Sequence, residues 1–254
     1  MSESRTLGLA TLCAAAATIV VSTVAASTLT IAIIVLKPLT TVLVILHAAR
    51  RSRGPAGRRV IFGLGASLLG DALLIWPDRF FVHGLGAFLI AHLAYISALR
   101  SLLATVEPAA LAGVCGRERG LIRLAPFVAV TAVGVVVLGG LWSGIPGSLR
   151  PPVVVYFAAI GMMAALATRL ALALQALRPG QAEDGRAQLA PWCWVGGWCF
   201  VLSDGLIAQN MFGEPLDTQI RPVAVLGTYW LAQWGIATGF VGAERLREPV
   251  AKAV

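Results

Sequence analysis

About eight long apolar runs, near 7–26, 29–49, 60–76, 80–103, 121–141, 152–174, 189–208 and 222–242, alternate with short polar segments along the chain. An α-helix rises 1.5 Å per residue and a hydrocarbon layer about 30 Å thick takes roughly 20 residues to cross, so each run is predicted to be a membrane-spanning helix. The runs are continuously apolar, without the in-out alternation of barrel strands, and a helix satisfies its own backbone in lipid. The first run follows Met1–Arg5 without a strong basic start and passes through small residues at Ala26 and Ser27 into the second. It reads as the first span and not as a cleavable leader.

Composition agrees with the pattern. Apolar residues make up 58% of the chain and charged ones only 13%, with a mean hydropathy of +0.83, against about 25% charged in a soluble domain. The expectation is an all-α, multi-pass integral membrane protein of about eight transmembrane helices, a single transmembrane domain over 1–254, in the inner (cell) membrane of a bacterium. The net charge of +8 changes the picture only through its placement. One face collects Arg5, then Arg50, Arg51, Arg53, Arg58 and Arg59, then Arg100, Arg117, Arg119 and Arg123, then Arg178 and Arg186, then Arg245, Arg247 and Lys252; the other has Arg79, Arg150 and Arg221. The positive-inside rule therefore puts both termini in the cytoplasm. The arginines of 50–59 read as a topogenic, headgroup-facing loop, not as a nucleic-acid site. Cys13, Cys115, Cys193 and Cys199 show no metal spacing and read as small fillers.

Candidate chemistry lies where polarity interrupts the runs. Asp71 and Asp204 sit in nearly the same pentapeptide, Leu69-Gly70-Asp71-Ala72-Leu73 and Leu202-Ser203-Asp204-Gly205-Leu206, while the other acids are expected in loops and tails. A carboxylate in hydrocarbon costs several kcal/mol unless protonated, paired or facing a wet cavity, and Asn or Ser would serve if only helix-to-helix adhesion were needed. The pentapeptides are four spans apart, as in a parallel duplication, although chance recurrence of common residues remains an alternative. From the assigned outer ends, Asp204 is about 6 Å deep, Asp71 about 8 Å, Tyr229 about 10 Å, Lys37 about 12 Å and His92 about 18 Å. That clustering predicts a cavity open to the outer half of the membrane.

Helical spacing sorts the supporting cast. Phe88, His92 and Tyr95 share a face of the fourth span, Tyr229 and Gln233 a face of the eighth, and Ser67 lies one turn before Asp71. Lys37 is followed by Pro38, which leaves the carbonyl of Ile34 unbonded beside a buried ammonium and makes Lys37 a partner for a carboxylate or a phosphate. Against these stand plainer readings: His92 as a helix-to-helix hydrogen bonder, Tyr95, Tyr156 and Tyr229 as packing, His47 and His83 as interfacial residues. No Ser-His-Asp or Cys-His arrangement is visible.

At these positions the chain resembles the YhhN-like lysoplasmalogenase family. The likeness is carried by Leu36-Lys37-Pro38-Leu39, by Ser67-Leu68-Leu69-Gly70-Asp71, by Gly84-Leu85-Gly86-Ala87-Phe88 with Ala91-His92-Leu93-Ala94-Tyr95, by Phe200-Val201-Leu202-Ser203-Asp204, and by Thr228-Tyr229-Trp230-Leu231-Ala232-Gln233. The resemblance implies an eight-span hydrolase that cleaves the vinyl ether bond of lysoplasmalogens to a fatty aldehyde and a glycerophospho-alcohol. The residues suit that reaction independently, because an enol ether is cleaved by acid. One of Asp71 and Asp204 would donate the proton and the other, ionised, would stabilise the oxocarbenium ion, with a carboxylate near Lys37 the ionised one. Lys37, Ser67, His92, Tyr95, Ser203, Tyr229 and Gln233 would bind or support. No metal and no cofactor is expected, and the partners are a lysophospholipid substrate and membrane lipids, with no nucleic acid and no protein partner evident. A proton-coupled secondary transporter or lipid carrier would use the same buried Asp and Lys. A metal-dependent hydrolase would have to build its site from His92 and the two carboxylates alone.

Overall fold

A computed structural model of the chain describes residues 3–24, 30–177 and 186–245. The junction at Ala26 and Ser27, and Arg178, Arg247 and Lys252 of the basic face, lie outside these residues. Within them every apolar run is a helix and no strand occurs: α1 (Glu3–Val24), α2 (Thr30–Arg51), α3 (Pro55–Leu73), α4 (Pro77–Ala110), α5 (Gly116–Leu141), α6 (Arg150–Ala176), α7 (Arg186–Phe212) and α8 (Ile220–Gly235). The last continues through a π turn (Ile236–Phe240) into α9 (Val241–Arg245). Three of these rods, α4, α5 and α6 with its leading turn from Gly147, are long and apolar enough to cross a membrane by length and composition.

Proline sets several of the starts. Pro55 opens α3, Pro77 opens α4 and prolines stand in the first turn of α6, where a missing N–H costs nothing because the first-turn donors have no intrahelical acceptor. The expected end of the third run at 76 falls back to Leu73, and the fourth run extends to Ala110, beyond the expected 103. After α4 the chain turns at Gly113, whose φ of 82° is the one left-handed conformation among the described residues.

Contacts between elements run in a closed order, α2–α3–α4–α6–α7–α8 and back to α2. α1 covers the seam between α2 and α8, while α5 packs on α6 outside the ring and leaves most of its apolar surface exposed, Val128, Val135 and Val136 among it. α7 and α8 approach most closely at Gly196, Gly235 and Gly239. A Cβ on Gly235 would stand 2.6 Å from the amide nitrogen of Gly196, and one on Gly239 2.6 Å from that of Cys193, the small-residue contact that lets apolar helices pack backbone to backbone. The π turn also touches α2, α3 and α4. With Ile236, Ala237 and Phe240 fully buried, it fills the interior at that end of the ring.

Two acids expected in loops or tails are buried. Glu107 lies in the last turns of α4, paired with Arg123 and Arg169. Glu244 accepts hydrogen bonds from the backbone N–H groups of Arg53 (3.2 Å), Gly54 (3.0 Å) and Gly57 (2.9 Å). α9 thus caps the start of α3 with a carboxylate, satisfying donors that the helix cannot. There is no room for a side chain there, since a Cβ on Gly57 would meet Glu244 Oε2 at 2.5 Å. Glu244→Ala is expected to destabilise the fold by about 1–3 kcal/mol, the cost of stranding buried donors, read as a lower Tm in detergent; an unchanged Tm would show the cap to be dispensable. His47, expected at an interface, is instead buried against the Trp234 ring, centroids 4.4 Å apart. Cys13, Cys115, Cys193 and Cys199 are all free thiols.

Candidate active site

Asp71 emerges on the inner face of α3, where only 1% of its side chain is exposed, and both of its oxygens are engaged. Lys37 Nζ of α2 lies 3.3 Å from Oδ1; Thr41 Oγ1, one turn on, donates to Oδ2 at 2.8 Å; Tyr229 OH of α8 donates to Oδ2 at 2.7 Å. The i, i+4 spacing of Lys37 and Thr41 lets both reach one carboxylate, and α2 runs through Pro38 without ending. The network continues inward. Gln233 Nε2 donates to Tyr229 OH (2.8 Å), Tyr95 OH of α4 donates to Gln233 Oε1 (3.5 Å), and Ser67 Oγ lies 3.2 Å from Tyr95 OH. The ammonium and the two hydroxyl donors offset part of the cost of burying this carboxylate.

Asp204 lives differently. Its side chain is 10% exposed and has no Lys or Arg within ion-pair distance among the described residues. Tyr156 OH of α6 donates a short hydrogen bond to Oδ2, and His92 Nε2 of α4 lies 3.1 Å from Tyr156 OH and 3.7 Å from Oδ2. With the tyrosine proton on the carboxylate side, His92 Nε2 is the donor to the hydroxyl oxygen. The other carboxylate oxygen, Oδ1, makes no hydrogen bond among the described residues.

Between the two groups stand Phe88 and Phe200. Phe200 is 4.7 Å from the His92 ring and 5.7 Å from the Tyr229 ring, and Phe88 is 6.0 Å from Tyr229, all edge-on. The carboxylates are therefore the ends of two polar clusters joined through an aromatic partition, with no hydrogen-bonding side chain common to both. Ser203 takes part in neither: its hydroxyl donates to the Val225 carbonyl (3.2 Å), tying α7 to α8.

A small cavity, about 40 Å³ of space for the centre of a water-sized molecule, reaches only one of the clusters. Asp204 and Tyr156 form its polar spot, and the rest of its wall is apolar, from Leu74, Phe81 and Phe88 to Val153, Ile207 and Phe212. All of these lie toward the bundle end that carries loops 74–76, 142–149 and 213–219. Asp204 is the one charged residue in the wall; Asp71 and Lys37 do not line it.

Two contributors went unrecognised in the sequence. Thr41 carried no signal beyond being a hydroxyl one turn after Lys37. Tyr156 was readable, since the chain has only three tyrosines and all of them fall inside apolar runs. Nor does the pentapeptide recurrence look accidental in space. Asp71 on α3 is held from α2 and α8, Asp204 on α7 from α6 and α4. The helices involved are related by a shift of four, although the partner side chains differ.

A family model described as the YhhN family matches residues 32–240, a stretch that contains every side chain of both clusters. The chain is 32% identical over 197 residues to the lysoplasmalogenase TMEM86A of Homo sapiens, covering 77% of this chain and 69% of that protein. It is 31% identical over 204 residues to a lysoplasmalogenase of Mycobacterium tuberculosis, covering 78% and 67%, and 31% identical over 196 residues to the lysoplasmalogenase TMEM86B of Sus scrofa, covering 77% and 69%. No solved structure matches. A helical bundle built around the Lys37–Asp71 and Tyr156–Asp204 pairs, matched by that family model over most of its length, belongs to the YhhN family.

Proposed function

We propose that this protein is an integral membrane hydrolase that cleaves the vinyl ether bond of lysoplasmalogens, with Asp204 as the acid and Asp71 as its ionised counterpart. The observation that carries the reading is the cavity. A small apolar pocket with one carboxyl group in its wall suits the reacting end of an alkenyl chain, whose carbons must meet a proton donor, and the relatives bear the name of that activity.

The chemistry follows from the positions. Protonated Asp204 delivers its proton to the β-carbon of the enol ether; the double bond supplies the electron pair, and the α-carbon becomes an oxocarbenium ion beside the carboxylate now formed. Water adds to the α-carbon and gives up a proton to Asp204. The hemiacetal then collapses to a fatty aldehyde and a glycerophospho-alcohol, so one water is consumed and the acid is restored. Tyr156, itself held by His92, occupies Oδ2 and leaves Oδ1 free to carry the proton. Asp71, charge-balanced by Lys37, keeps Tyr229, Gln233 and Tyr95 in register behind the partition.

Protein in detergent should release aldehyde from a lysoplasmalogen and leave the saturated ether analogue intact, since that analogue has no carbon-carbon double bond to protonate. Mass spectrometry of both incubations decides it. Failure to cleave the vinyl ether, or equal cleavage of both, would refute the mechanism, and turnover without a sealed membrane separates a hydrolase from a carrier.

All eight helical rods are assigned to the membrane, with both termini cytoplasmic, on the strength of the basic residues at one set of helix ends. The cavity then opens on the outer side. Reporter fusions at Val254 and after Arg150 should read opposite sides, cytoplasmic and outer; the same side for both would overturn this topology.

A further inference from the structure

At the bundle end opposite the cavity, an open groove of about 520 Å³ runs between α4, α5 and α6, and its charge is unbalanced: Arg100, Arg123 and Arg169 line it with the single acid Glu107. Glu107 is fully occupied. Arg123 Nε donates to Oε1, and Arg169 Nη2 donates to Oε2 at 2.5 Å. A guanidinium has five N–H donors, so most of the donor capacity of the three arginines stays unspent. Arg169 Nε is buried with no hydrogen-bond partner among the described residues. Arg123 is half-exposed and Arg100 exposed, so the cluster is reachable. Beside it the floor is apolar, with Leu103 and Leu166 buried beneath the opening.

We propose that this groove binds an anionic membrane phospholipid, its phosphate among Arg100, Arg123 and Arg169 and one acyl chain along Leu103 and Leu166. Guanidinium forks match phosphate oxygens in geometry and charge. A phosphate diester supplies acceptors for the guanidinium N–H groups that Glu107 leaves unspent, and the groove lies at the arginine-rich helix ends, at the depth of headgroups under the proposed topology. A free anion would use the arginines and leave the apolar floor bare, whereas a lipid uses both. The assignment is independent of the hydrolase reading, because the groove shares no residue with the Asp204 cavity.

Delipidated protein in neutral detergent, titrated by native mass spectrometry with phosphatidylglycerol, phosphatidylcholine of the same chains, and inorganic phosphate, tests the site. Phosphatidylglycerol should bind at least about tenfold more tightly than phosphatidylcholine, and Arg123→Gln should remove most of that preference. Arg123 also holds Glu107, so Arg100→Gln is the second variant. Arg100 takes no part in the Glu107 pairs, and its loss should weaken phosphatidylglycerol severalfold while Tm without lipid and vinyl ether turnover stay unchanged. Equal binding of the two lipids, or full retention in both variants, would overturn the proposal. Inorganic phosphate binding as tightly as phosphatidylglycerol would overturn it in favour of a free-anion site.

Discussion

Asp204→Asn is expected to lower lysoplasmalogen turnover by at least about a hundredfold, the lower range for losing a general acid, while the protein still folds. Asparagine keeps the carboxyl shape and can still accept from Tyr156, but it has no proton to deliver to carbon and cannot take one back from water. Asp71→Asn should lower turnover as well, and the double variant should be hardly worse than the worse single, because members of one catalytic unit do not add. Aldehyde release by mass spectrometry and Tm in detergent are measured on the same preparations. A well-folded Asp204→Asn protein with near-normal turnover would remove Asp204 from the mechanism and with it the meaning given to the cavity.

Lys37→Met is expected to have the largest effect on stability. It leaves Asp71, whose side chain is 1% exposed, as a buried carboxylate without its cation, and breaking a buried pair from one side costs about 3–5 kcal/mol. Adding Asp71→Asn in the same chain should recover most of that loss, since asparagine can still accept from Thr41 and Tyr229 without a charge to desolvate. Turnover should stay low in the rescued double variant. The pattern of one loss and one recovery is what identifies an ion pair; if Lys37→Met melts with the parent, the pair contributes nothing to the fold and Asp71 does not depend on it for its charge.

Run length alone made the helices legible, and polar residues that could not be excused by the bilayer made most of the site legible. Lys37, Asp71, Tyr95, His92, Asp204, Tyr229 and Gln233 each stood out because hydrocarbon is an unforgiving solvent for them. What escaped were interactions whose partner lies far along the chain. Glu107 and Glu244 look like loop acids because nothing in a linear pattern shows that α4 runs on to Ala110, or that the last rod persists through a π turn to Arg245. Arg169 had no visible reason to sit inside a run until Glu107 was found opposite it. Tyr156 looked like packing because a phenol is both apolar and polar, and only the position of Asp204 decides which end matters. That Asp204 meets a cavity and Asp71 does not is a property of how the ring is closed at one end, which no local spacing encodes.

The crossed supply of partners has a further meaning. Asp71, in the first four helices, is completed by Tyr229 from α8, and Asp204, in the last four, by His92 from α4. The two halves of the chain are thus interlocked as in an exchange of arms between two subunits, each lending the other a side chain. Neither half owns a finished site. A chain severed in the 111–115 turn would yield two fragments that are inert apart and complementary together, joined by the same contacts that the intact chain uses to hold its chemistry in place.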